Sequence, residues 1–276
     1  MMRIGLSTHL LVYETLSPLW IKKIKEYGFQ FLEIWAMRPH FDYKDAKTVS
    51  GLRDSLEKEG LRALSFHAPF YLHVKDAKEK KWLSVSAADE AERKKIIKET
   101  KEVMDIMKDF GGEVLALHCG LEVNREGDDV PKNLPKSINE LLDYSVKSNI
   151  KLALENTPNP YSTTEKILDI IRTCGSDSVG MCLDIGHANV LEDPARAIRT
   201  ASKHIFSIHA SDNDGTEDAH LSPLQGNIKW DEVKKALVDV GFDGPFMLEL
   251  RNYGDYDSVL SHARDFVEKV FPDTKT

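Results

Sequence analysis

The stretch Met181-Cys-Leu-Asp-Ile-Gly-His187 decides the fold. Val179 to Leu183 reads as a buried strand that stops abruptly and presents Asp184 and His187 at its end. Three other stretches have the same form. Lys151-Leu-Ala-Leu-Glu-Asn156 ends on Glu155, Phe206-Ser-Ile-His-Ala210 on His209, and Pro245-Phe-Met-Leu-Glu-Leu250 on Glu249. Each apolar run is of strand length and delivers a carboxylate or an imidazole where the core should finish. Together they supply oxygen and nitrogen donors of the kind that bind a divalent metal.

Outward from these strands the chain keeps one rhythm. Ile4–Ser7, Phe31–Trp35, Ala63–Phe66 and Val114–Leu117 read as the first four strands, the last two running on to His67 and His118. Amphipathic segments alternate with the strands: Pro18–Tyr27, Asp45–Glu59, Asp89–Phe110, Lys136–Ser148, Thr163–Thr173, Pro194–Ser202, Trp230–Val240 and Ser258–Val270. Tyr71–Ser86 and Leu121–Pro135, the latter holding Gly127, read as irregular loops, and Asp212–Gly226 as a long one. Eight strands alternating with eight helices predict a parallel sheet of α/β class, closed as a (β/α)₈ TIM barrel, with residues 1–276 as one domain. An open doubly wound sheet would carry a glycine-rich phosphate loop after its first strand; here Ser7-Thr-His-Leu-Leu-Val12 stands there.

Composition narrows the function classes. The chain has 276 residues, 41% hydrophobic and 30% charged, which suits a soluble protein with a sizeable core. No apolar run reaches membrane-spanning length, and no signal peptide is legible, so a cytoplasmic protein without a membrane partner is expected. Three cysteines without paired spacing fit a reducing compartment. A net charge of −8 weighs against nucleic acid as a partner without excluding it. Oligomeric state is not legible, and a homo-oligomer is left open.

In a barrel of this type the C-terminal strand ends share one mouth, so His67, His118, Glu155, Asp184, His187, His209 and Glu249 should surround it. Taken singly, a strand-end histidine is more often a hydrogen-bonded core or surface residue, and a strand-end carboxylate a cap. Those explanations give no reason for five successive units, from the fourth strand to the eighth, all to finish on ligand-type residues. Converging carboxylates would also repel one another unless a cation or a proton sat between them. Trp35, with Glu33 and Arg38, follows the second strand and is a candidate to line a substrate pocket, the indole stacking on a sugar ring. Packing explains it equally well. His9 is expected to face the mouth, and His40, His73, His204 and His262 to be exposed. Arg251 is expected in a surface ion pair.

The motifs Leu154-Glu-Asn156, Cys182-Leu-Asp-Ile-Gly-His187, His209-Ala-Ser-Asp-Asn213, Asp218-Ala-His220 and Leu248-Glu249 resemble the xylose isomerase-like TIM barrels. That superfamily holds sugar isomerases and epimerases, and also apurinic endonucleases of the endonuclease IV type. For the epimerase branch, the resemblance implies one divalent metal (Mn²⁺, Mg²⁺, Co²⁺ or Zn²⁺) held by Glu155, Asp184, His209 and Glu249. Glu155 and Glu249 would also stand on opposite sides of a bound ketose, as the catalytic proton-transfer pair, with His187 as a substrate contact; His67, His118 and Trp35 are further candidates to contact the sugar or sugar phosphate. For the endonuclease branch it implies three zinc ions, with His67, His118, His187, Asp218 and His220 as additional ligands. The endonuclease pattern has His-Pro-Gly after the fourth strand, where this chain has His118-Cys-Gly120. The epimerase pattern has a Pro-Gly-x-Gly turn after Asp-x-His, of which Ser222-Pro-Leu-Gln-Gly226 keeps a part.

Three functions follow, in order: a metal-dependent sugar isomerase or epimerase, a zinc-dependent endonuclease acting at abasic DNA, and a barrel that binds sugar or metal without turnover. The endonuclease needs a basic groove, for which Lys75–Lys81 and the Arg93, Lys94, Lys95, Lys98 set are candidates. Interspersed acids make a solvated face the simpler explanation of both.

Overall fold

A computed structural model of the chain describes residues 2–121 and 131–274. Eight parallel strands close in sequence order: β1 (Arg3–Ser7), β2 (Phe31–Trp35), β3 (Arg62–His67), β4 (Val114–His118), β5 (Lys151–Glu155), β6 (Val179–Asp184), β7 (Ile205–Ala210) and β8 (Pro245–Leu248). β8 returns to pair with β1, Ile4 opposite Phe246 and Leu6 opposite Leu248, which shuts the ring. The sequence expectation of a closed (β/α)₈ barrel therefore holds.

Strand alternation divides the chemistry. Along β5, Leu152 and Leu154 join the large core cluster under the helices, whereas Ala153 packs with Val114, Ala116 and Cys182 in a separate small cluster. The interior thus holds small residues low in the barrel and Glu155 at the top of the same face. A register shift at Leu32/Glu33 sets Glu33 opposite Ser65, and one at Met181/Cys182 sets Asp184 opposite His209. These two shifts align the polar side chains of neighbouring strands.

The ring of helices comprises α1 (Pro18–Glu26), α2 (Ala46–Glu59), α3 (Val74–Lys78), α4 (Glu90–Phe110), α5 (Asn133–Ser148), α6 (Thr164–Cys174), α7 (Ile185–Leu191), α8 (Pro194–Ala201), α9 (Trp230–Asp239) and α10 (Tyr256–Val270). Local sequence explains their limits. In α4 the buried residues Ile96, Ile97, Thr100, Val103, Met104 and Met107 recur at helical spacing. The Asp89 carboxylate accepts from the Glu92 N–H at its start, and Gly111, at φ 68°, ends it. Asp193 caps α8 in the same way, accepting from the Arg196 N–H at 2.7 Å.

Five expectations need correction. Tyr71–Ser86 contains the helix α3, whose first turn is capped by His73 Nδ1 accepting from the Lys75 N–H. α5 begins at Asn133, with Pro135 in the first turn, where a missing N–H costs nothing; residues 122–130 of the expected loop, with Gly127, lie outside the described residues. His40 is fully buried, donating from Nδ1 to the Glu14 carbonyl and accepting at Nε2 from the Thr8 hydroxyl. His204 is half-buried. Arg251 is exposed and lies over the Tyr253 ring, 5.6 Å from its centroid, and among the described residues it forms no ion pair.

Candidate metal centre and active site

Glu155, Asp184, His209 and Glu249 come together at the C-terminal end of the barrel. One ligand atom from each lies within 4.8 Å of all the others, and all four residues are buried. Glu155 and Asp184 end their strands, His209 is next to last in β7 and Glu249 directly follows β8, because the apolar run beneath each is consumed by the core. His209 Nδ1 lies 3.1 Å from Glu155 Oε1 and 3.3 Å from Glu249 Oε2. Asp184 is fixed from below: Asn156 accepts from its N–H at 2.8 Å and donates to its carbonyl at 2.9 Å. Its Oδ1 accepts from the His187 N–H, capping α7, while its Oδ2 has no hydrogen-bond partner among the described residues. Gly186 makes this cap fit, since a Cβ there would stand 2.5 Å from Ser211 Oγ.

Histidines surround Glu155. His67 Nε2 is 3.2 Å and His118 Nε2 3.5 Å from its Oε2, and His187 Nδ1 is 3.7 Å from its Oε1. On the far wall, His187 Nε2 and His220 Nε2 both approach Asp218 Oδ2, at 3.1 and 2.9 Å. Their Nδ1 atoms donate to the carbonyls of Asn156 and Glu249. Trp35 donates its indole N–H to Glu249 Oε1 at 2.9 Å, and its ring stacks on His67 with centroids 4.3 Å apart. Above these groups opens a cavity of about 330 Å³, walled by Trp35, Phe70, Tyr71, Trp82, His118 and His220 among others. His9 lines it, as expected, and Arg38 turns away to the Leu72 carbonyl.

The electrostatics are those of crowded charge in a low-dielectric interior. Burial pushes Glu155 up, but the imidazoles of His209 and His118 outweigh it and hold the carboxyl well below the ordinary range. Glu249 is likewise depressed, burial being outweighed chiefly by His209. Asp184 goes the other way, to about 6, from burial first, with Glu249 and Glu155 adding repulsion against the pull of His187. Burial opposes the charging of His209, His187 and His220. The neighbouring acids and, for His209, Cys182 prevail: His209 and His187 stand well above their ordinary value and His220 at about 9. His9 is driven down to about 4 by burial and by His220.

The donor set fits a divalent cation. Among the described residues Asp184 Oδ2 is a buried oxygen without a hydrogen-bond partner, an arrangement that is costly unless a cation or a proton compensates it, and Glu155 Oε2 faces only the His67 and His118 imidazoles. His67, His118 and Glu155 form a second convergent group, and His187, Asp218 and His220 a third. Every residue expected at the mouth is there. Two contributors, Asp212 and Asn156, had no role assigned from the sequence, and a third, Glu33, was expected elsewhere. Glu33 lies in the barrel interior against His209 rather than along a pocket wall. Asp212 ties the loop carrying Asp218 and His220, accepting from Leu224 N, Ile228 N and Trp230 Nε1. Asn156 locks Asp184 in place. Acidic and amide side chains in the motifs around Asp212 and Asn156 were the available signal.

The basic residues of the two sets are dispersed, and Lys78 Nζ lies over the ring of Tyr13 at the cavity's edge, 5.9 Å from its centroid. Arg93 is wholly buried, paired with Glu90 and Glu140 between α4 and α5. Lys94, Lys95 and Lys98 face solvent from α4, and Lys75 and Lys81 pair with Glu79. Among the described residues no helix is long and apolar enough to cross a membrane.

Comparison with known proteins agrees with this architecture. The chain belongs to the xylose isomerase-like TIM barrel family, whose model matches residues 21–270. It is 24% identical over 260 residues to a D-psicose 3-epimerase of Enterocloster bolteae, covering 90% of this chain and 82% of that one. Among solved structures it superposes on a D-tagatose 3-epimerase-like protein with a TM-score of 0.83, at 24% identity over 98% of this chain and 97% of the other. It also superposes on the IolI protein with a bound zinc atom, TM-score 0.80, at 22% identity over 98% and 99% of the two chains.

Proposed function

We propose that the protein is a divalent-metal-dependent isomerase or epimerase of a ketose, or of a ketose phosphate, with Glu155, Asp184, His209 and Glu249 as the metal ligands. One observation carries the proposal: four buried donors from four adjacent strands converge, and among the described residues one oxygen of Asp184 lacks a hydrogen-bond partner. The psicose 3-epimerase relative and the zinc-containing neighbour support it. Three carboxylates and one imidazole suit Mn²⁺, Mg²⁺ or Co²⁺, and Zn²⁺ gains if further histidines bind.

When bound, such an ion would polarise a substrate oxygen and acidify the adjacent C–H. The protein's own residues supply the rest. One of Glu155 and Glu249 removes the proton, and the other returns it from the opposite face. The Trp35 N–H restrains Glu249 at its Oε1 while Oε2 faces the cluster. His67, His118 and His187, grouped around Glu155, bond to substrate hydroxyls. The aromatic wall of Trp35, Phe70 and Trp82 covers the sugar and limits the water that could intercept the carbanion-like state.

The second and third histidine groups favour one other reading, a zinc cluster that hydrolyses phosphodiesters at abasic sites. The test is direct. A panel of ketohexoses and ketopentoses is incubated with the manganese-loaded protein in deuterium oxide, beside an abasic duplex. An epimer carrying solvent deuterium at the inverted carbon, with intact DNA, is expected. Nicked DNA without any sugar conversion would move the assignment to the endonuclease.

A further inference from the structure

We propose that Glu33 is a positioning residue for the metal centre, holding the His209 ring so that Nδ1 is the nitrogen offered to the metal. The inference rests on the metal reading above and extends it to a residue below the ligands. Glu33 is fully buried in the barrel interior. Its Oε1 accepts from the Ser7 hydroxyl at 3.0 Å; its Oε2 accepts from the Ser65 hydroxyl at 3.0 Å and from His209 Nε2 at 2.9 Å. Four strands, β1, β2, β3 and β7, thus contribute to one closed set of hydrogen bonds. The register shift at Leu32/Glu33 puts Glu33 opposite Ser65.

The chemistry follows from the imidazole. A neutral ring carries one N–H and one lone pair, and only the lone pair can bind a metal. Glu33 already accepts from the Ser7 and Ser65 hydroxyls and stands as the acceptor facing His209, so the N–H it binds is the one at Nε2. Nδ1, 3.1 Å from Glu155 Oε1 and 3.3 Å from Glu249 Oε2, then presents its lone pair to the other ligands. Carboxylates behind ligating histidines commonly fix the ring's tautomer and orientation, and their loss typically weakens metal binding about 10–100-fold. The Ser7 and Ser65 hydroxyls serve Glu33 as it serves His209, by leaving the carboxylate little freedom to turn.

Glu33→Gln tests this. Glutamine keeps the volume, but two hydroxyls and one ring N–H then compete for a single carbonyl oxygen. Calorimetric titration with Mn²⁺ should show the folded variant binding about 10–100-fold more weakly than the wild type. Glu99→Gln, which removes another buried carboxylate held by Tyr43 and Lys44, should leave the affinity unchanged. In zinc-loaded protein the His209 Nε2 proton, held by a carboxylate, should give a downfield proton resonance that Glu33→Gln abolishes. Unaltered Mn²⁺ affinity in folded Glu33→Gln, or an equal loss in Glu99→Gln, overturns the proposal. Should Glu33→Gln not fold, Ser65→Ala keeps the carboxylate and loosens it; roughly fivefold weaker binding is expected, and no loss overturns the proposal. A wild-type chain that binds no Mn²⁺ overturns the metal reading itself, a result distinct from all of these.

Discussion

Glu155 sits in a closed interior, yet its neighbours keep it charged: His67, His118, His187 and His209 all approach its two oxygens. A base must be ionised before it can take a proton, and Glu155 and Glu249 are both held below the ordinary carboxylate range. Replacing either by glutamine retains shape and a ligating oxygen but removes the proton acceptor. Glu155→Gln and Glu249→Gln should each lower turnover by about 10²–10⁴-fold while the circular dichroism spectrum stays unchanged. Near-normal turnover in a metal-loaded variant would leave the glutamates as ligands alone. The four proposed ligands were legible because each ends an apolar run, a pattern the eye finds without a structure. Glu33 was not, since its place opposite Ser65 depends on a register shift that no composition reveals. His40 was expected to be exposed. Its two nitrogens are in fact both satisfied inside the protein, by Glu14 and Thr8.

Among the elements, α7 shows what a short segment hides. Seven residues give too little periodicity to signal a helix, and its cap, Asp184, had already been read as a metal ligand. One residue serves both purposes because Oδ1 accepts from the backbone of His187 while Oδ2 is left over. The joint between β6 and α7 is correspondingly intolerant. A methyl group on Gly186 would meet Ser211 Oγ at 2.5 Å and Asp184 Oδ1 at 3.3 Å. Gly186→Ala should therefore destabilise the protein by about 1–3 kcal/mol in urea unfolding and weaken Mn²⁺ binding. Adding Ser211→Ala should recover part of the stability; no recovery would place the strain elsewhere. The long loop after β7 was legible only as a loop. Its order comes from Asp212, which gathers donors from Asn213, Leu224, Ile228 and Trp230 and so holds Asp218 and His220 over the cavity.

Across the whole molecule, the alternation of strand and helix was enough to reveal the barrel, because each of the eight repeats carries its own apolar pattern. Closure makes stability and the site interdependent. An ion bound only by the native state at about a hundredfold excess over its Kd adds about 2.7 kcal/mol. Stripping it with a chelator should therefore lower Tm by roughly 5 °C, read by calorimetry, and adding Mn²⁺ should restore it. Acid should act through His40. Burial drives that group down to about 4 from 6.5, only partly offset by its bond to the Glu14 carbonyl. The unfolded chain then binds the proton first, so this stabilising contribution is complete above about pH 6.5 and is lost as pH falls toward 4. At about 1.4 kcal/mol per unit the loss approaches about 3 kcal/mol. The stability gap between wild type and His40→Asn in urea should accordingly shrink from pH 7 to pH 4.5, and a constant gap would exclude His40 as the source. The central claim is that four strand-end side chains hold one divalent ion, and native mass spectrometry of the protein purified with Mn²⁺ tests it most directly. One ion per chain is predicted, retained in Asp218→Asn and lost in an Asp184→Ala, Glu249→Gln double variant. A metal-free wild-type chain, or three ions per chain that depend on Asp218, would contradict it.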